Sequence, residues 1–295
     1  MSLDLKLASF EGLEEESRKN CPNCKKSCKF YCPHCFTILN EINKTPQLTL
    51  PLKTFIVHHP KEKVSKSTAI HAKILAPESV EIIEFPHDLD TLVENSENDQ
   101  AFDPESTLLL FPCEESKPIS EVNWEKIQNV VFIDSTWFQT GKILRDPRIK
   151  DLPKIQINNY KTKFWRYQNI SVHYLSTIEA IYYFFKEFVT HKNNGKYEGQ
   201  VDNLLFFFEY TFQLIQKKYK REKKPFKHIK GYIKNNENDE DVEEKEKEKE
   251  KERNTEISEI TQEQIQEKIN NKEIEQTKMK KKKINFFLKV ERMAC

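Results

Sequence analysis

Glycine is scarce in this chain. Only five occur in 295 residues, Gly12, Gly141, Gly195, Gly199 and Gly231, and none stand in G-x-G-x-x-G or G-x-x-x-x-G-K spacing. Loops that cradle phosphates with backbone N–H groups need such glycines. This argues against a kinase, a P-loop ATPase or an ordinary dinucleotide-binding dehydrogenase. Long apolar runs are also missing, so no membrane partner is expected. Acids at Asp4, Glu11 and Glu14 to Glu16 stand where a secretory signal would be apolar. A reducing compartment is therefore expected, where clustered cysteines point to metal rather than disulfides. Net charge is nearly absent too. The 48 Lys and Arg almost cancel the 47 Asp and Glu, so the total does not demand a polyanionic partner.

What is present is unevenly spread. Apolar residues are 37% and charged residues 32% of the chain, poor values for a globular protein. Most apolar runs fall within residues 50 to 220, whereas residues 234 to 283 are nearly all Glu, Lys, Asn and Gln. The expected organisation is a Cys-rich module at 18–40, a folded domain at 50–222 and a low-complexity charged tail at 223–295. The tail is expected to be disordered or a solvated helix, since Glu243 to Arg253 alternates Glu and Lys.

Alternating strand and helix signals predict an α/β sheet. Strands are expected at Thr54–Val57, Val80–Phe85, Thr107–Phe111, Val130–Ile133 and Lys154–Ile157. Helices are expected at Ser67–Leu75, near Val122–Gln128, from Phe138, behind Ser176 and over 202–219. Residues 88 to 105 read as an acidic loop. Ser176-Thr177-Ile178-Glu179 is a capping-box sequence, with Ser176 as N-cap and Glu179 reaching back. The aromatic stripes behind it read as core.

Cys21-x-x-Cys24 and Cys32-x-x-Cys35 are paired knuckles, each with a Pro after its first Cys. Two such turns complete a tetrahedral Cys₄ site, closed to substrate and so structural; Zn²⁺ is the expected ion. Cys28 between them is either a spare thiol or a substitute ligand, and His34 is a weaker alternative. Lys19, Lys25, Lys26 and Lys29 surround the site. They face a phosphate backbone or balance thiolate charge.

The most informative stretch is Val130-Val131-Phe132-Ile133-Asp134-Ser135-Thr136-Trp137. Its apolar run stops at an acid, two hydroxyls and an indole. Ligands of open α/β sheets sit beyond the carboxyl ends of strands, where Asp134 would stand. The plainer reading makes Asp134 or Ser135 the N-cap of the next helix. Downstream, Lys142 to Arg166 carries eight basic residues against Asp146 and Asp151, interleaved with Tyr160, Phe164 and Trp165. That mixture suits RNA, since bases attract phosphate and aromatic faces accept unpaired nucleobases. A solvated basic face over core aromatics explains it equally.

Asp134 to Trp137 fits the D-x-T-W motif of the DTW-domain proteins. The chain resembles that family further at HPKEKVSKSTAIHAKILAP (59–77), LLLFP (108–112), FIDSTWFQTGKILRDPRI, KTKFWRYQ (161–168), LSTIEAIYYF (175–184) and YEGQVDNLLFFF (197–208). The likeness spans roughly residues 18 to 220 and is greatest to the eukaryotic tRNA-uridine aminocarboxypropyltransferase branch.

The resemblance implies a SPOUT-like, knotted α/β fold at 50–222. It implies transfer of the 3-amino-3-carboxypropyl group of S-adenosylmethionine to N3 of a tRNA uridine, in the D-loop. Asp134 is then the catalytic base or the residue that orients the uracil. Ser135, Thr136, Trp137, His59, Glu62, Ser67, Thr68, Arg166, Ser176, Thr177 and Glu179 become candidates for the cofactor or substrate pocket. Capping already accounts for Ser176, Thr177 and Glu179, and for one of Ser65 and Ser67. A nuclear location, or alternatively a cytoplasmic one, follows from the branch together with the cluster Lys280 to Lys283. An RNA methyltransferase and a non-catalytic zinc-containing RNA-binding protein are the competing functions. The oligomeric state is left open.

Overall fold

The computed structural model describes residues 4–39, 45–96, 99–165 and 173–222. The expectations for Arg166 and for the charged tail lie outside the described residues.

The chain begins with two small antiparallel hairpins. β1 (Lys19–Asn20) pairs with β2 (Ser27–Cys28), and β3 (Tyr31–Cys32) with β4 (Thr37–Ile38). The α/β domain follows as β5 (Lys53–His58), α1 (Ala69–Leu75), β6 (Val80–Glu84), α2 (His87–Glu94), β7 (Thr107–Leu110), β8 (Lys117–Pro118), β9 (Asn129–Asp134), α3 (Trp137–Leu144), β10 (Lys154–Gln156), α4 (Thr177–Lys192) and α5 (Phe206–Glu222). β5 through β10 form one sheet in the order β6-β5-β9-β7-β10-β8, and every pairing in it is parallel.

β9 is central and apolar because a parallel strand is covered on both faces. Val130 and Phe132 enter one core with Ile56, α1 and α4. Val131 enters the other with Val57, Leu89 of α2 and Ile143 of α3. Side chains alternate with period two, so His58 and Asp134 continue the series of Ile56 and Phe132. They emerge at the strand ends on the α1/α4 face.

After β5 the chain passes to β6 on one side. After β9 it passes to β10 on the other side, beyond β7. The β5/β9 boundary is thus a topological switch point, where the outgoing connections diverge and leave a crevice.

Three expectations need correction. Residues 88 to 105 are not all loop, because α2 occupies His87–Glu94. Asp88 and Asp90 sit in its first turn, where acids favour helix formation. No helix forms over Val122–Gln128; a 3₁₀ turn at Ile119–Glu121 precedes it. There Asn123 Oδ1 accepts the Glu125 N–H at 3.1 Å, and Trp124 Nε1 donates to the Ile119 carbonyl at 3.1 Å. Asx turning and an anchored indole therefore outcompete the helix. Finally, α3 is capped by Thr136, with Gln139 Oε1 accepting the Thr136 N–H at 3.2 Å. Asp134 and Ser135 are not its N-cap.

The YEGQVDN segment ties down the N-terminal stretch. The buried Asp202 accepts the Lys6 N–H at 2.7 Å and the hydroxyls of Tyr182 and Tyr197, while Asn203 accepts the Ala8 N–H at 2.8 Å. Gly199 lies at φ +89, and a Cβ there would meet Asp202 and Lys6 at about 3 Å. Among the described residues, no helix is long and apolar enough to cross a membrane.

Candidate active site

Asp134 ends β9 almost fully buried, at 5% exposure. Three donors from three elements hold its carboxylate. His58 Nδ1 donates to Oδ2 at 2.6 Å from the end of β5. Ser67 Oγ donates to the same oxygen at 2.7 Å, from the turn before α1. Thr177 Oγ1 donates to Oδ1 at 2.6 Å, from the first residue of α4. Bonds this short to an anion are of the strong, charge-assisted kind. A carboxylate offers about four acceptor sites, so among the described residues one remains open, on Oδ1. The backbone is fixed as well, since His58 and Asp134 are register partners and the His59 N–H reaches the Asp134 carbonyl at 3.0 Å.

Sequence reading missed His58, which looks like one more strand residue. The only available signal was its place beside the recognised His59-Pro60 pair. Burial opposes charge on its imidazole, but the hydrogen bond and charge of Asp134, with help from Glu62, outweigh that and raise its pKa. The raised folded value means His58 stabilises the fold fully below its unfolded pKa, about 6.5. That contribution is lost as pH rises through the folded value.

The other candidates separate into two groups. Glu62 Oε1 accepts the Thr136 N–H at 3.3 Å, which ties the His59-Pro60 turn to the start of α3. Ser135 Oγ bonds Thr140 Oγ1 at 2.8 Å. These groups border the strand ends, with Ser135 half-buried and Thr136 exposed. His59 lies just behind, stacked on Phe85, its Nδ1 accepting the Lys61 N–H at 3.2 Å. Burial, with Lys142 and Lys61 nearby, lowers its pKa. Of Trp137 only the backbone is described, as the first residue of α3.

The second group is a supporting layer. Ser67 Oγ accepts the Ala69 N–H at 3.1 Å, a local cap added to its bond with Asp134. Thr68 Oγ1 accepts the Ile178 N–H at 3.3 Å, joining the starts of α1 and α4. The expected capping box of Ser176 and Glu179 is present. Glu179, 2% exposed, also accepts Thr162 Oγ1 and the Lys163 N–H, each at 2.7 Å. Burial pushes its pKa up, while these donors pull against it. Glu179 thus fastens the basic, aromatic segment to the helix that carries Thr177. Glu179→Ala strips one acceptor from several buried donors, so an equilibrium urea titration should show a loss of about 3–5 kcal/mol. A loss under about 1 kcal/mol would deny Glu179 this anchoring role.

The second constellation is the cysteine cluster. The Sγ atoms of Cys21, Cys24, Cys32 and Cys35 lie within 4.8 Å of one another. A tetrahedron with metal–sulfur bonds of 2.3 Å sets its sulfurs about 3.8 Å apart, so the four thiols fit one ion. Cys24 and Cys32 approach to 3.4 Å, too far for a disulfide. Each knuckle sits in a hairpin turn, and the residue after its second Cys, Lys25 or Phe36, takes φ +61 or +54. Backbone N–H groups of Cys24 and Asn23 pull the Cys21 thiol down to about 7, while the hydrogen bond with Cys24 and burial push Cys35 up to about 12. Cys28 lies in β2 and is not part of the cluster. Phe30 and Tyr31 seat the module on α5 through Tyr210 and Phe207, at ring distances of 5.3 and 4.9 Å.

The DTW domain family matches residues 19–216. Relatives named tRNA-uridine aminocarboxypropyltransferase 1 are similar to this chain over 252 residues, 72% of its length. The Xenopus laevis and Homo sapiens proteins are each 36% identical, over 86% and 83% of their own lengths. The Mus musculus protein is 33% identical over 83% of its length. No solved structure matches the chain.

Proposed function

The chain belongs to the DTW domain family, and from that premise we propose that it is a tRNA-uridine aminocarboxypropyltransferase. It moves the 3-amino-3-carboxypropyl group of S-adenosylmethionine to N3 of a uridine in tRNA, in the D-loop, and leaves methylthioadenosine. The observation that carries this reading is the Asp134 carboxylate, held by three donors at a topological switch point with one acceptor site left.

The chemistry needs what that arrangement offers. A carbon–nitrogen bond forms at N3, a carbon–sulfur bond breaks, and the N3 proton must leave. S-adenosylmethionine, when bound, supplies a carbon on a sulfonium that departs readily. The protein's task is to choose one of three sulfonium carbons, which is a matter of alignment. Asp134 Oδ1 accepts the N3–H, orienting the uracil and taking its proton. Glu62, Ser135 and Thr136 are the polar groups bordering the crevice, and they suit the ammonium and carboxylate of the transferred group. His59, Thr68 and Ser176 shape the crevice from behind. Trp137 and Arg166 are assigned to the nucleobase and to a carboxylate or phosphate.

Several finer readings belong with this one. The all-parallel sheet supports the reading of a SPOUT-type, knotted fold, and the four clustered thiols support Zn²⁺ as their ion. Lys161 and Lys163 lie on the segment anchored by Glu179 and face tRNA, while Tyr160, Phe164 and Trp165 pack inward against Tyr183 and Phe208, as core aromatics beneath a basic face. Lys280 to Lys283 direct the protein to the nucleus.

The test incubates the full chain with tRNA transcript and S-adenosylmethionine, followed by mass spectrometry of both products. Aminocarboxypropyluridine and methylthioadenosine are expected together. Methyluridine with adenosylhomocysteine would make the protein a methyltransferase. Binding of tRNA and donor without turnover would make it an RNA-binding protein.

A further inference from the structure

We propose that His58 is a positioning residue for Asp134, its Nδ1–H fixing which carboxylate oxygen faces the uracil. This rests on the transfer reading above and adds a residue to it.

The argument begins with the two oxygens. Oδ2 receives both His58 and Ser67, whereas Oδ1 receives Thr177 alone. The imidazole is therefore what makes the two oxygens unequal in their bonding. Without it each oxygen holds one hydroxyl and keeps one open acceptor site, and the carboxylate no longer presents a unique atom. Ser and Thr hydroxyls rotate freely to follow a moving acceptor. A ring nitrogen on a packed side chain does not.

The ring itself is well held. His58 is 5% exposed, and its backbone is locked between β6 and β9, with its carbonyl accepting the Phe85 N–H at 2.9 Å. Its Nε2 is buried and makes no well-formed hydrogen bond among the described residues. An atom so enclosed does not reach substrate, so His58 acts through Asp134 rather than on the uridine. The charged and titratable groups around it are Asp134, Glu62 and His59. The arrangement has the logic of an Asp–His pair with the roles exchanged: the carboxylate works at the front and the imidazole orients it.

The experiment compares three substitutions in the full chain. Asparagine places its amide N–H near the position of Nδ1, glutamine places it near Nε2, and alanine places none. His58→Ala should lower kcat about 10- to 100-fold with little change in KM for tRNA, the loss of one hydrogen bond to a charged group. His58→Asn should recover most of that loss, and His58→Gln should not. A kcat for His58→Ala within about twofold of the wild type, or a His58→Asn variant as slow as alanine, would overturn the proposal. A second readout needs no turnover. In ¹⁵N-labelled protein the His58 Nδ1–H resonance should lie far downfield and move sharply upfield in Asp134→Asn. An unmoved resonance would overturn the pairing. If the wild type modifies no tRNA, the transfer reading fails by itself, and the resonance still decides the role of His58.

Discussion

Asp134→Asn lowers kcat by roughly 10²- to 10⁴-fold at saturating tRNA, the range for losing a positioned proton acceptor. The substitution nearly conserves shape but turns one carboxylate oxygen into an NH₂ group. His58, Ser67 and Thr177 all aim donors at this side chain, so the NH₂ of the amide displaces at least one donated bond, and a hydroxyl meets it only by turning to accept. A local cost of about 1–3 kcal/mol accompanies the catalytic loss. Thermal unfolding and donor binding, measured on the same sample, separate the two effects. A variant that binds donor, stays folded and turns over within about threefold of wild type would leave the transferred proton to some other group. Asp134→Ala is the less useful change, because it also leaves three short-range donors unpaired in a buried site.

Removing metal from the cysteine module has the second large effect. Purified protein should carry one zinc per chain, and stripping it with a strong chelator should lower Tm by about 10 °C or more. The reason is that structural zinc in small modules is worth about 10–16 kcal/mol of apparent binding energy. The hairpins β1–β2 and β3–β4 have only two residues per strand, far too few to persist alone. When they open, Phe30 and Tyr31 leave the surface of α5, exposing Phe207 and Tyr210. Cys24→Ser should lose the metal and reproduce the shift. Cys28→Ser should keep the metal and change Tm by less than about 2 °C. Unchanged metal content in Cys24→Ser would exclude the four-cysteine site.

The parts of this protein that were legible in its sequence are those where one local rule decides. An apolar run ended by Asp134 reads as a buried parallel strand, and it is one. Ser176 followed by Glu179 reads as a capping box, and both halves form. The C-x-x-C pairs bring their four sulfurs together. Where two local rules competed, reading was less sure. The acids of residues 88 to 105 suggested solvent, yet Asp88 and Asp90 sit at the first turn of α2. Asn123 and Trp124 looked helical, but their side chains bond the backbone of a turn. The role of His58 was the least legible. It depends on a parallel register that sets it opposite Asp134, 76 residues away in the chain, and no local pattern records that alignment.

The place of β9 in the sheet has a consequence for how the molecule is made. β5, β6 and β7 all leave the ribosome before it, yet β5 and β7 do not touch. Each pairs instead with β9, which fills the slot between them. Until residue 134 has emerged, both strands keep an unpaired inner edge, and unpaired apolar edges invite pairing with other chains. A nascent chain stalled before that point has a two-stranded ribbon and a separate strand, with no sheet to join them. The same step that joins β5 to β7 delivers Asp134 to His58. Joining the two halves of the sheet and bringing the carboxylate to its imidazole are therefore one event in synthesis, whereas β10 and the third donor, Thr177, are added only as later residues emerge.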